Sequence, residues 1–176
     1  MKVLILNASP RREGNTELLC REFARGAAEA SHDVTQLNLR QMKLAPCMAC
    51  EACRQSGQCV LHDDMAGIYA AMVEADVIVL SSPVYFYSIC AQMKMVIDRC
   101  YVGHRKLAHK RFYYIVTAAA PDHSAAAPTL EAFRGFLRCL PDATECGTIY
   151  GTGAWAKGDI RTMPAMQEAY TMGREV

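Results

Sequence analysis

Short apolar runs alternate along the chain with longer stretches in which apolar residues recur every three or four positions. Lys2–Asn7 (KVLILN) holds four consecutive apolar residues, as a parallel strand covered on both faces requires. Asn15–Ala30 then carries Leu18, Leu19, Phe23 and Ala27 at helical spacing. Val34–Leu39 alternates with a period near two and predicts a second strand. Residues 40–63 show no period, and Asp63 or Asp64 predicts an N-cap for a helix over Met65–Glu74. Asp76–Ser81 (DVIVLS) is the best central strand, followed by a helix over Ser88–Tyr101 and a strand over Phe112–Thr117. Residues 126–139 predict a helix with Pro128 near its first turn. Cys146–Tyr150 predicts a fifth strand, and Pro164–Gly173 a closing helix that Gly173 stops.

Five strands alternating with helices predict an open, doubly wound parallel α/β sheet. Parallel crossovers are right-handed, so helices should cover both faces. Pattern alone does not order the strands; 2-1-3-4-5 is one of the two common arrangements. No repeat or low-complexity segment interrupts the alternation. Residues 1–176 therefore read as a single domain, with a cysteine-rich loop at about 40–63.

Composition narrows the function. At 52% hydrophobic and 21% charged residues the chain is not a disordered one. Nineteen Lys and Arg against eighteen Asp and Glu leave a net charge of +1, so no basic field for nucleic acid or a membrane surface is expected. Apolar runs are too short for a membrane span, and the opening MKVLILNASPRRE lacks a signal-peptide core, which predicts a cytoplasmic protein. Nine cysteines, an odd count, argue against a disulfide framework. Four of them fall within thirteen residues: Cys47, Cys50, Cys53 and Cys59. The other five (Cys20, Cys90, Cys100, Cys139, Cys146) stand in apolar surroundings and are expected to be inert buried thiols.

Open α/β sheets bind ligands beyond the carboxyl ends of their strands. There the first strand delivers N-A-S-P-R-R-E-G-N-T (7–16) straight into a helix. A helix start presents unpaired amides and a positive dipole end to a phosphate. Ser9 and Thr16 add hydroxyls, Asn15 an amide, Arg11 a charged fork, and Gly14 permits close backbone approach. An ordinary capped loop is the plainer alternative. The segment is neither G-x-G-x-x-G nor G-x-x-x-x-G-K-[ST], which disfavours a dinucleotide-binding unit and an NTPase. The central strand runs into S-S-P-V-Y-F-Y-S (81–88), whose aromatics can cover a flat ring while the amides of Val84, Tyr85 and Phe86 bond its polar rim. They can equally pad the next helix or a subunit contact. Thr117 and Ala118 open a third loop of small residues at the same edge.

Taken together, NASPRREGNT, the cysteine segment followed by DDM, and SPVYFYSICAQMKMVIDR resemble the NAD(P)H-dependent FMN reductase branch of flavodoxin-like proteins, and within it the iron–sulfur flavoproteins. The resemblance covers roughly residues 1–100, and the GTG segment with the closing helix more loosely. It implies that Ser9, Arg11, Asn15 and Thr16 hold the FMN phosphate, with Pro83, Val84, Tyr85 and Phe86 along the isoalloxazine. Thr117 and Ala118 follow as further contacts, although relatives often place glycine in that loop. It also implies a homodimer or homotetramer.

C-x2-C-x2-C-x5-C has three readings: a [4Fe–4S] cluster on Cys47, Cys50, Cys53 and Cys59, a four-thiolate zinc site, or free thiols. The spacing matches the iron–sulfur flavoprotein motif cysteine for cysteine, and Gly57 permits the turn to the last one. A loop following the second strand should lie at the flavin edge. Weaker features read as structure. His62, Asp63 and Asp64 suggest a cap rather than ligands; Lys94, Asp98 and Arg99 suggest solvated ion pairs or subunit contacts. Trp155, among the glycines of GTGAWAKGD, suggests partial burial or a shield over a ligand, and His104 and His109 a surface connector.

The expected function is an FMN-dependent oxidoreductase that moves electrons from NAD(P)H or reduced ferredoxin to a small-molecule acceptor. No side chain is assigned a catalytic role, because flavin carries such chemistry itself. A pure electron carrier and a non-redox phosphate-ligand-binding module are the rivals.

Overall fold

A computed structural model describes all 176 residues. Its sheet is assembled from β1 (Lys2–Asn7), β2 (Asp33–Asn38), β3 (Val77–Tyr85), β5 (Arg111–Ala118) and β6 (Thr144–Thr152), all parallel, in the order β2-β1-β3-β5-β6. In terms of the five long strands this is the 2-1-3-4-5 order. A two-residue strand, β4 (Ser88–Ile89), folds back antiparallel on the end of β3. Val3 to Asn7 are all buried, because β1 is flanked by two strands and covered on both faces.

On one face lie α1 (Asn15–Glu29) and α6 (Ala165–Arg174), packed on Val3, Ile5, Val77, Val79 and Ile115. The other carries α3 (Met65–Glu74), α4 (Ala91–Arg99) and α5 (Ala127–Leu137), packed on Leu4, Leu6, Ile78, Leu80, Phe112 and Tyr114. A single turn of helix, α2 (Ala52–Ser56), lies inside the cysteine loop. Pro128 stands in the first turn of α5, where its missing N–H breaks no bond. No helix is long and apolar enough to cross a membrane.

Four expectations are corrected. The helix predicted from Ser88 begins at Ala91, because Ser88 and Ile89 pair with Tyr85 and Val84. Gly173 does not stop α6; it lies inside it, where a β-carbon would strike the Phe23 carbonyl of α1. Gly26 is matched against Tyr170 in the same way, so the two helices meet backbone to backbone. Cys139 and Cys146 are exposed rather than buried. Cys146 sits where the β5–β6 register slips, between Glu145 opposite Phe112 and Gly147 opposite Tyr113. Cys139 lies just beyond the end of α5.

Candidate functional site

The parallel register sets Asn7, Asn38 and Ser81 side by side and Pro83 beside Thr117, so the loops after β1, β3, β5 and β6 share one edge. They enclose a cavity of about 470 Å³, within the range of cofactor pockets. Ser9, Arg11, Asn15, Thr16, Pro83, Val84, Tyr85, Phe86, Thr117 and Ala118 all line it. Gly14, Ala119, Ala154 and Trp155 complete the wall.

The loop after β1 is tightly braced. Ser9 is held by its amide donating to Asn7 Oδ1 at 3.0 Å, and its hydroxyl donates to the Arg11 carbonyl at 3.0 Å. At Gly14 a β-carbon would sit 2.8 Å from Ser9 Oγ and 3.0 Å from the Arg11 carbonyl. Below the loop, Glu17 is 2% exposed and accepts the Glu13 amide at 2.7 Å while pairing with Arg21 and Arg40. Burial pushes the Glu17 carboxyl up, but the Glu13 amide, Arg40 and Arg21 outweigh it and leave its pKa lowered. The amides of Asn15, Thr16 and Glu17, in the first turn of α1, have no acceptor within the chain. With the Arg11 guanidinium they form a cradle whose partners must be anionic or water.

Besides the Ser9 hydroxyl, two more of the predicted hydroxyl and amide donors are already committed. Asn15 Nδ2 donates to the carbonyls of Ala154 and Ala156 at 3.2 and 2.9 Å, and its Oδ1 accepts the Gly158 amide at 2.9 Å. Thr16 Oγ1 bonds Thr117 Oγ1 at 2.7 Å. Both side chains tie α1 to neighbouring loops and so shape the cavity. The amides of Gly153 and Ala154 donate to the carbonyls of Ala120 and Ala118, which locks the loop after β6 onto that after β5. Trp155 is exposed, contrary to the expected partial burial, and stands at the rim. The opposite wall is the β3–β4 hairpin, whose turn residues Phe86 and Tyr87 have φ of 48° and 59°. Phe86 is fully exposed, Tyr87 largely so and Tyr85 partly so; Phe86 and Tyr87 do not pad the next helix.

The cysteine loop forms a second centre. Cys47, Cys50, Cys53 and Cys59 line one small cavity together with Met48, Val60, Leu61 and Tyr101. They are not drawn together as ligands of a single ion. Left-handed backbone at Ala49, Glu51 and Gly57 wraps the chain around this cavity, so Gly57 makes the turn its type suggested. The neck of the loop is closed by Asp63, which accepts the Ala45 amide at 3.0 Å and the Met65 amide at 3.2 Å. Asp64 accepts the Lys43 amide at 2.7 Å. Arg99 is neither solvated nor a surface ion pair: it is buried and grips Asp63 with both terminal nitrogens, at 2.8 and 2.9 Å. Hydrogen bonds from Arg99 hold the Asp63 carboxyl down at about 2. Lys94 and Asp98 do form an exposed ion pair.

The cysteine cavity and the large one share no lining residue. The loop leaves β2 at the expected edge, but Arg99 draws its neck to the carboxyl end of α4, about 12 Å along the helix from Ala91. The neck of the cysteine loop is therefore drawn away from the edge at which β2 ends. Among the remaining thiols, burial pushes Cys20 and Cys100 up to about 12, which makes them inert.

Sequence reasoning missed Glu17, whose spacing to Arg21 was visible but whose burial was not. Ala154 carries no chemical signal and lines the cavity only through the turn at Gly153, where φ is 81°.

This strand order, with an anion-ready helix start and an aromatic hairpin at the carboxyl edge, defines the flavodoxin-like class. Among solved structures the fold matches an NAD(P)H:quinone oxidoreductase from Methanothermobacter marburgensis, with a TM-score of 0.76 at 20% identity over 99% of this chain and 95% of that one. A family model described as NADPH-dependent FMN reductase matches residues 1–145, and the chain belongs to that family of flavin oxidoreductases. By sequence it is 44% identical over 99 residues to an iron–sulfur flavoprotein of Methanocaldococcus jannaschii, covering 56% of this chain and 51% of that protein. It is 36% identical over 106 residues to an iron–sulfur flavoprotein of Methanosarcina thermophila, covering 60% and 56%. The chain spans about half the length of the curated relatives it matches.

Proposed function

We propose that the chain binds FMN in the large edge cavity and transfers electrons from NAD(P)H or reduced ferredoxin to a small acceptor. The observation that carries this reading is the pairing, in one cavity, of the unpartnered first-turn amides of α1 with an aromatic hairpin opposite. The amides and Arg11 take the phosphate; Pro83, Val84, Tyr85 and Phe86 face the ring, with Thr117 and Ala118 beneath it. Asn15 and Thr16 serve by holding the walls in place. When bound, FMN supplies the redox chemistry, accepting a hydride and releasing electrons singly or in pairs. No side chain has to act as nucleophile or base, and the residues bind, orient and cover.

The four clustered thiols surround one shared apolar-walled cavity and are the all-cysteine donor set that a [4Fe–4S] centre takes. A centre held by Cys47, Cys50, Cys53 and Cys59 would pass single electrons. The iron–sulfur flavoproteins among its relatives support this reading. The exposed Phe86 and Trp155 at the cavity mouth, with exposed Tyr87 next to Phe86 in the turn, favour a second copy of the chain there, as a homodimer or homotetramer.

Stopped-flow mixing of the FMN-loaded protein with NADPH, NADH or reduced ferredoxin tests the donor. Rapid bleaching of the flavin by a pyridine nucleotide is the expected result. Bleaching by ferredoxin alone would replace the reductase with an electron carrier, and a protein that takes up no FMN would overturn the reading.

A further inference from the structure

Arg99 closes the neck of the cysteine loop, but one of its bonds is unmade. Nη1 and Nη2 donate to Asp63, and Nη1 also donates to the Ala45 carbonyl at 2.8 Å. Nε is buried and has no acceptor, in a residue only 3% exposed. A desolvated guanidinium N–H without a partner is costly, so such groups are normally satisfied. Arg99 lines a cavity of about 400 Å³ behind the loop, and Cys59 lines the same cavity. Cys59 also lines the small cavity with the other three cysteines, and no other cysteine belongs to both. It thus borders both the cavity of the guanidinium and the space its fellow thiols surround, and after Asp63 it is the group that raises the Arg99 pKa.

We propose that Arg99 sets the reduction potential of the iron–sulfur centre by donating its Nε–H to the Cys59 sulfur when that sulfur is an iron ligand. This rests on the cluster reading above. A neutral thiol is a weak acceptor and leaves the N–H unused; a metal-bound thiolate is a strong one. A hydrogen bond and a full positive charge beside a ligand sulfur stabilise the more negative, reduced centre and raise its potential. Asp63 opposes this effect. Its carboxylate holds the fork in place but cancels part of the charge that the centre feels.

The two partners therefore predict shifts of opposite sign. The full chain, reconstituted anaerobically with iron, sulfide and FMN, is assayed for iron and titrated redox-potentiometrically with detection by electron paramagnetic resonance. Arg99→Lys should keep its iron while its one-electron reduction constant falls about tenfold, a shift of about 59 mV downward. Asp63→Asn should move the potential upward. If Arg99→Lys is too unstable to load, the Asp63→Asn potential decides alone: an upward shift supports the assignment and no shift rejects it. Unchanged potentials, shifts of the same sign, or iron lost from both variants would reduce Arg99 to a clasp. Absence of iron from the reconstituted wild-type chain, with FMN still bound, would overturn the cluster reading itself and this assignment with it.

Discussion

Arg11 and Gly14 act on an anion through different physics. Arg11 supplies an exposed charge, its Nη1 donating to the Trp155 carbonyl at 3.4 Å, and a charge-assisted hydrogen bond contributes about 1.5–3 kcal/mol. Arg11→Ala should therefore weaken FMN about tenfold or more while leaving riboflavin nearly unaffected, by fluorescence titration of each. Equal losses for both ligands would remove the phosphate from this loop. Gly14 supplies only space. In Gly14→Ala the new methyl pushes on Ser9 Oγ and the Arg11 carbonyl, so FMN affinity should fall even though no donor is lost. At Asp63 the issue is pH. Its pKa is depressed from 3.8 to about 2, so its ion pair stabilises the fold fully above the ordinary carboxylate range and is lost as pH falls through about 2. Acid unfolding of wild type and Asp63→Asn should converge as the pH drops through that window. At this scale the donor types were legible, since Ser9, Arg11, Asn15 and Thr16 all line the cavity. Their commitments were not: the Asn15 amide is consumed by carbonyls 139 and 141 residues away, a fact that no local pattern encodes.

Among the elements, the β3–β4 hairpin is the one built against local preference. A two-residue turn with both central residues left-handed normally uses Asn-Gly, and here it uses Phe86-Tyr87. Left-handed backbone costs about 1–2 kcal/mol at each such residue. Neither aromatic is buried in return, which places its purpose outside the isolated chain. Replacing Phe86-Tyr87 by Asn-Gly should raise Tm by about 4–8 °C. The same variant should sediment as a smaller species than wild type, if the aromatic tip meets a second copy; unchanged sedimentation would argue against that contact. This hairpin also explains the misplaced start of α4. The run from Ser81 to Ile89 reads as one strand and a helix start only until the turn is seen, and Phe-Tyr is not a turn signal. By contrast β1, α3 and β5 were legible to within a residue, because continuous burial or a regular apolar stripe leaves few alternatives.

Over the whole molecule, alternation of strand and helix was enough to choose the architecture, since right-handed crossovers leave few ways to cover both faces. What it could not show is how closely α1 and α6 approach. Gly173 reads as a stop signal and Gly26 carries no signal; in the fold each leaves room for the other helix's backbone. Gly26→Ala and Gly173→Ala should each cost about 1–3 kcal/mol by overpacking, read as a lower midpoint in urea. A neutral outcome would mean that the helices can slide apart.

That helix pairing carries a consequence for biosynthesis. The helix whose first turn presents the anion cradle, Asn15–Glu29, is made long before Ala165–Arg174, the element that buries its back. Until α6 is made, α1 has only its sheet to rest on, and Gly26 and the Phe23 carbonyl lack the backbone that later docks on them. The cradle reaches its final stiffness after translation of the closing helix. Flavin capture should therefore await α6, and nascent chains stalled before Pro164 should carry no flavin.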